Sequence, residues 1–394
     1  MAPRSSSASN RNADEQQGDE RNAGDRYAGF RVTPWVHHLG RFVDRHRDLW
    51  IKLGEGETRL RADDIADTAI DKPIFVSGLA RSGTTILLEV LAKHPTVACH
   101  RYKDYPFLFT PFLWNRFLGF VPERQNIAVE RSHADGIAVS PDSPEAFEEV
   151  LWMAFFKDLH DPAVCNVLDG ETGNPDFEGF YADHIRKLLR VRGRARYLAK
   201  ANYNVTRLEY LLKVFPEARF VLPLRAPVGQ IASLAKQHRL FCEGERRHPR
   251  ALDHMRRIGH FEFGLDRRPV NVGDGAMPAV LAAWEKGDEV EGWARYWASL
   301  HGFLADRLAA NPALAAAVKV VRFEDLCSKP FEVLREVCDH CRLPNSAHLV
   351  AEAAELMRMP SYYRPDFTEK QLLQIDRYTA DVARRFGYAD AVGV

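Results

Sequence analysis

No stretch of this 394-residue chain approaches the ~18 consecutive apolar positions of a membrane span. The first 25 residues are rich in Ser, Asn, Asp and Glu and have no apolar centre, which argues against a secretory signal. They predict a disordered tail over 1–26 and, with it, a cytoplasmic protein without an integral membrane segment. Net charge is missing as well. The 54 Lys and Arg balance 54 Asp and Glu, so no whole-chain field draws nucleic acid or anionic lipid. Cysteine is scarce, with six in all, and only Cys338 and Cys341 lie close together. Their Cys-x-x-Cys lacks the second half of a zinc site and falls in a helical pattern with Val333, Leu334 and Val337. These are read as reduced core thiols, and no metal is expected. There is no internal repeat, which excludes a solenoid.

The chain does have enough apolar residues, 46%, for one large α/β body with extensions. Its most telling stretch is Ile74–Thr85, Ile-Phe-Val-Ser-Gly-Leu-Ala-Arg-Ser-Gly-Thr-Thr. An apolar strand runs into a glycine-containing turn, and Ile86, Leu87, Val90 and Leu91 then follow at helical spacing. Such a strand–loop–helix unit aims backbone N–H groups into the loop and cradles phosphate-like anions. Gly78 and Gly83 have the spacing of a nucleotide-binding P-loop. The lysine that should follow Gly83 is absent: Thr84 stands there, and the cation comes earlier, at Arg81.

Elsewhere strands and helices alternate. This predicts an α/β, P-loop-like three-layer fold, with a mostly parallel central sheet and helices on both faces. Residues 27–71 read as a helical arm whose Trp35, Val36, Leu39, Phe42 and Val43 pack on the main domain. The domain itself spans 72–345, and 346–394 is a helical extension. Strands are expected at Ile74–Ser77, Arg196–Lys200, Arg219–Leu224 and Ala317–Phe323. Pro223 suggests that the third of these ends at the sheet margin. Pro144–Leu159 reads as a helix with Ser143 as N-cap. Thr206 and Glu209 form a capping-box pattern opening a helix to Phe215. The aromatic run Tyr102–Trp114 reads equally well as core or as one wall of an acceptor pocket. Residues 241–277, polar, basic and punctuated by Gly and Pro, read as an insertion or lid.

Three pieces carry chemistry. In the loop, Arg81 pairs with anionic oxygens, and the hydroxyls of Ser82, Thr84 and Thr85 add donors beside Gly83. Arg225 closes a strand, at the edge where ligands bind in such sheets, and Ser233 follows about two helical turns later. Lys200 ends its own apolar strand and faces the same edge. Taken singly, a glycine turn, a strand-end arginine and a snorkelling lysine are all common structural features.

Together, their order and spacing resemble the sulfotransferases that use 3′-phosphoadenosine 5′-phosphosulfate. The loop Gly78–Thr85 is similar to that family's 5′-phosphosulfate loop. Arg219–Ser233 is similar to its 3′-phosphate element, and Val320–Leu326 with Pro330 and Leu343–Pro344 to the ending of its bacterial branch. The resemblance implies in-line transfer of a sulfuryl group to a carbohydrate or other small hydroxyl acceptor. It implies 3′-phosphoadenosine 5′-phosphosulfate as co-substrate, bound by Arg81, Ser82, Gly83, Thr84, Thr85, Arg225 and Ser233, with Arg81 and Lys200 also catalytic. It does not say whether the protein is oligomeric. One departure concerns the base. Where the cytosolic branch has Lys-x-His, this chain reads Lys200-Ala201-Asn202, and Asn202 takes no proton. The expected base is then His100, whose imidazole type titrates near working pH, with Asp104 orienting it and His133 as a third candidate. The competing readings are a P-loop small-molecule kinase and a non-catalytic nucleotide-binding protein.

Overall fold

Side chains leave the central strands alternately to two separate cores. Phe75, Tyr197, Ala199, Phe220 and Leu222 enter one; Ile74, Val76, Leu198, Val221 and Val321 enter the other. A sheet that is apolar on both faces has to be covered on both, and this one is. A computed structural model describes residues 27–120, 129, 130, 133, 138–359 and 366–389. Its main sheet consists of β1 (Ile74–Val76), β2 (Val97–Ala98), β3 (Arg196–Lys200), β4 (Arg219–Leu224) and β5 (Val318–Arg322). The order is β2-β3-β1-β4-β5, and every neighbouring pair is parallel. The fold is the expected α/β sandwich of helices about a parallel sheet.

Along the chain, the amino-terminal arm forms α1 (Pro34–Arg45) and α2 (Arg47–Leu60). Helix α3 (Thr84–Ala92) follows β1, and α4 (Pro111–Leu118) closes the aromatic segment. Helix α5 (Pro175–Arg192) leads into β3, with Asn174 as a true N-cap and Gly193 as a left-handed C-cap. Helix α6 (Pro227–Arg247) follows β4, and α7 (Pro249–Ile258) continues it after a short break. Both open with proline in the first turn, where its missing N–H costs nothing. Helices α8 (Glu289–Ala310) and α9 (Pro330–His340) flank β5 in sequence. Cys338 and Cys341 are fully buried core thiols, as read.

Local expectations differ from the structure in four places. Pro223 lies in a strand with neighbours on both sides. Its backbone nitrogen faces β1, which has already turned away: the last β1–β4 pair is Val76 with Val221, while β5 pairs with β4 as far as Leu224. No ladder bond is lost there. The helix expected from Pro144 begins at Glu148, and the Ser143 hydroxyl instead accepts from the Ser140 N–H in a turn. Thr206 does not cap a helix, because its hydroxyl donates to the Tyr203 carbonyl; Glu209 bonds Arg307 and Asn311. Finally, the stretch 241–277 is built into the body. It completes α6, forms α7 and buries Phe261, Phe263, Val270 and Val272. Helix α7 is held against the arm, where Arg257 Nη2 lies 3.3 Å from His37 Nδ1.

A buried ion pair pins the crossover to β3. Arg207 donates two bonds to Glu149, of 2.8 and 2.9 Å, and lies over the Trp152 ring; His160 Nε2 is 2.7 Å from the same carboxylate. Burial pushes the Glu149 carboxyl up, but Arg207 and His160 outweigh it and hold it down at about 2. Glu149→Gln is expected to cost about 3–5 kcal/mol of stability at neutral pH, since it leaves the guanidinium buried without its counter-charge. The native contribution is fully present above the ordinary carboxyl value of 4.5 and fades as pH falls toward 2. Urea unfolding of both proteins across that range should show the difference shrinking in acid.

Candidate active site

After β1 the chain makes the anion-loop turn. Gly78 and Gly83 have φ of +138° and +107°, conformations open to glycine and strained for other residues. Both also need the space. A Cβ on Gly78 would stand 3.0 Å from the Pro223 carbonyl oxygen, and one on Gly83 would stand 3.0 Å from the Phe323 ring. Between them Arg81 adopts a φ of +68°, the kind of non-glycine strain that surrounding structure must hold in place. Gln230 on α6 supplies that hold. Its Nε2 donates to the carbonyls of Leu79 (3.3 Å) and Ala80 (3.0 Å), and its Oε1 accepts from the Trp297 indole at 2.9 Å. Ser82 is fully buried, and its hydroxyl donates to the Leu79 carbonyl at 2.8 Å. Ser82 therefore braces the loop from inside and does not offer its hydroxyl proton to a ligand, contrary to expectation. Gly83 then caps α3 without any side-chain partner. The first N–H groups of that helix have no intrahelical acceptor, which favours an anion there.

The other predicted cations flank this loop. Lys200, the last residue of β3, is in register with Val76, the last residue of β1. Arg225 follows β4 on the opposite side of β1, with its guanidinium 4.8 Å from the centre of the Phe323 ring. One phenyl ring therefore borders both the loop glycine and Arg225. A direct bond closes the arrangement: Arg81 Nε donates to Ser233 Oγ at 3.1 Å. Loop, strand-end arginine and helix serine, far apart in sequence, line one place.

On the Lys200 side, Asn202 is a junction. Its carbonyl accepts from Ser77 Oγ at 3.1 Å, and its side-chain oxygen accepts from Thr84 Oγ1 at 3.2 Å. Its amide donates to Glu262 Oε1 at 2.8 Å. Glu262 is held over the end of β3 because the neighbouring Phe261 N–H donates to the Tyr203 hydroxyl at 2.9 Å. The Glu262 side chain is 13% exposed, its Oε2 makes no hydrogen bond among the described residues, and His260 Nδ1 is 3.6 Å away. Burial pushes the Glu262 carboxyl up, but the charges of His260 and Lys200 more than offset this, and it sits below its ordinary value of 4.5. Burial likewise lowers the His260 imidazole. The result is an ionised carboxylate whose second oxygen is buried against His260, one residue removed from the anion loop's own hydroxyl.

His100 and Asp104, the pair expected to take the acceptor's proton, belong to a different and closed cluster. His100 is 3% exposed, with Nε2 3.1 Å from His184 Nε2 and Nδ1 3.6 Å from Asp104. Asp104 is clamped by Arg192 at 2.5 and 2.7 Å and accepts the Arg101 N–H at 2.8 Å. Against the upward push of burial, His100 and Arg192 hold its carboxyl at about 2. His100 and Asp104 are thus engaged with His184 and Arg192 inside the protein, although the Nδ1 atoms of His100 and His184 make no hydrogen bond among the described residues. His133 accepts from Gln237 through its carbonyl, and its ring lies 5.4 Å from that of His260; Arg131, Ser132, Ala134 and Asp135 lie outside the described residues. The aromatic run Tyr102–Trp114 packs on the arm, in a series of ring contacts from Trp50 through Phe107 to Trp114.

The sequence reading missed Glu262, Gln230 as the loop's brace, and Phe323 as the shared wall. Only the replacement of histidine by Asn202 hinted that a base had to come from elsewhere. Among the described residues no cluster of three or more His, Cys, Asp or Glu is arranged to hold a metal, and no helix is long and apolar enough to cross a membrane.

Residues 73–260 match the model of the Sulfotransferase family. No curated protein matches the chain. Among solved structures, sulfotransferase STF1 from Mycobacterium tuberculosis H37Rv is 17% identical with a TM-score of 0.45, over 97% of this chain and 93% of that one. Sulfotransferase STF9 from Mycobacterium avium is 15% identical with a TM-score of 0.47, over 92% of this chain and 88% of that one. Likenesses of that size add nothing to the family match. The segment 73–260, which holds the glycine turn, Lys200, Arg225 and Ser233, belongs to the Sulfotransferase family.

Proposed function

We propose that this protein moves a sulfuryl group from 3′-phosphoadenosine 5′-phosphosulfate to the hydroxyl of a carbohydrate or other small acceptor. The observation that carries this reading is the 3.1 Å bond from Arg81 to Ser233, which joins a cradle for one anionic end of a nucleotide to the element suited to a second. Loop N–H groups, Arg81, Thr85 and Lys200 serve the 5′-phosphosulfate, while Arg225 and Ser233 serve the 3′-phosphate. Thr84, whose hydroxyl proton goes to Asn202, ties that end to Glu262.

In the reaction the acceptor oxygen attacks sulfur in line as the bridge from sulfur to the 5′-phosphate oxygen breaks. Negative charge grows on that oxygen, and adenosine 3′,5′-bisphosphate leaves. Fixed cations and N–H groups aimed at a developing charge are the main source of rate in such transfers. The acceptor's proton goes to Glu262, which replaces His100 in that role. Its ionised state and its link through Asn202 to the loop's Thr84 support a proton acceptor there, and the acceptor must reach an oxygen that lies buried against His260.

A kinase reading lacks support where it most needs it, since Thr84 occupies the lysine position after Gly83. The test is thermal or chemical stabilisation by nucleotides. At a hundredfold excess over its Kd, adenosine 3′,5′-bisphosphate should add about 2.7 kcal/mol, with ADP and GDP well below it. Arg225→Ala should erase that preference. Equal or better stabilisation by ADP would return the kinase reading to first place.

A further inference from the structure

The arm does not pack as an amphipathic helix is expected to pack. Helix α1 meets the body through His37, Gly40 and Val43, and so leaves Trp35 and Phe42 facing outward. Helix α2 continues the surface with Leu49, Leu53 and Leu60, and α4 adds Phe117; these six are from 39% exposed (Leu53) to 76% exposed (Leu60). Two of them, Phe42 and Phe117, are linked across the helices. Ring contacts run from Phe42 to Trp50 (6.4 Å), Phe107 (5.0 Å), Trp114 (4.5 Å) and Phe117 (5.2 Å). The Leu113 N–H also donates to Glu57 of α2 at 2.7 Å. An apolar surface of this extent, rimmed by polar groups, marks a contact with something else.

The rim tells what that is. Arg41, Arg45, Lys52, Arg59 and Arg116 are exposed, lie one to four residues from an outward apolar side chain, and enter no ion pair or hydrogen bond among the described residues; only two acids of these helices, Asp48 and Glu55, are exposed and unpaired in the same way. Whole-chain neutrality hides this local excess. We propose that the α1–α2–α4 face docks on an anionic lipid surface, with the Trp, Phe and Leu side chains entering the acyl boundary and the five cations at the headgroups. A second copy of the chain suits the face less well, because the unpaired cations outnumber Asp48 and Glu55 and a two-fold contact would set that excess against itself. The helices lie flat; among the described residues no helix is long and apolar enough to span. Lipid docking needs nothing from the nucleotide site.

Flotation of the full chain with phosphatidylcholine vesicles, with and without phosphatidylglycerol, tests it. Binding should favour the anionic vesicles by at least about tenfold and weaken with salt, since each cation near such a surface contributes roughly fivefold. The exposed pair Trp35→Ser with Phe117→Ser should abolish flotation while leaving nucleotide-induced stabilisation unchanged, which shows that the variant is folded. Arg41→Gln with Lys52→Gln should remove the preference for phosphatidylglycerol. No flotation, equal binding to both vesicles, or flotation that survives the Trp35–Phe117 pair would each overturn the proposal. So would a wild-type dimer in sedimentation velocity that the same pair splits.

Discussion

Glu262→Gln is expected to lower kcat by about 10²–10⁴-fold, the range supplied by a positioned proton acceptor. Glutamine keeps an oxygen to accept from Asn202, so the loop contacts survive and binding of adenosine 3′,5′-bisphosphate should stay within about twofold, since the nucleotide makes no use of the lost charge. The pH profile adds a readout that a structural role would not move. Glu262 is held below 4.5 by His260 and Lys200, so it is already ionised throughout the neutral range. The wild-type rate should be level from about pH 8 down to about pH 5, whereas a histidine base would produce a limb within that interval. The sign follows from the role: a base works when deprotonated, so activity falls only when acid reaches the carboxyl's own lowered value. An acid limb centred near an ordinary imidazole value, or a glutamine variant with undiminished kcat, would return the base to a histidine.

The second large effect belongs to Arg81. On the proposed reading, Arg81→Ala removes a guanidinium that faces the growing charge; it also breaks the 3.1 Å bond to Ser233. Loss of one such donor typically costs about 10²–10³-fold in kcat, or about 2.7–4 kcal/mol of transition-state stabilisation. Arg81→Lys keeps the charge but not the planar fork, so it should recover only part of the rate. Ser233→Ala breaks the same bond from the other side. If Ser233 serves donor binding, its variant should raise KM for the donor far more than it lowers kcat. An Arg81→Ala enzyme with full transfer activity would remove the anion loop from the chemistry altogether.

These two residues show different degrees of visibility in the sequence. Arg81 sits in a loop whose glycines, flanking strand and following helix are all within a dozen positions. Local conformation alone declares it, because Gly78 and Gly83 occupy backbone regions strained for other residues. Lys200 and Arg225 are visible for a related reason: each ends an apolar strand, and strand ends in a parallel sheet converge on one edge. Glu262 has no such marker. It reaches Asn202 across 60 positions, from a segment whose composition looked like a surface excursion. His100 carried a chemically attractive type at a plausible place, yet its ring is enclosed by His184 and Asp104. The outward turn of Trp35 and Phe42 is likewise invisible to periodicity, which reports that a helix has two faces and not which of them meets the body.

The sequence by itself determined the parallel α/β plan, the anion loop and the cations at its rim, since those follow from backbone preference and side-chain period over a few residues. Only the tertiary structure decided which carboxylate stands beside the loop, which histidine is sealed away, and which face of the arm stays wet. Those outcomes depend on how separate elements pack, and packing brings together residues that share no local signal.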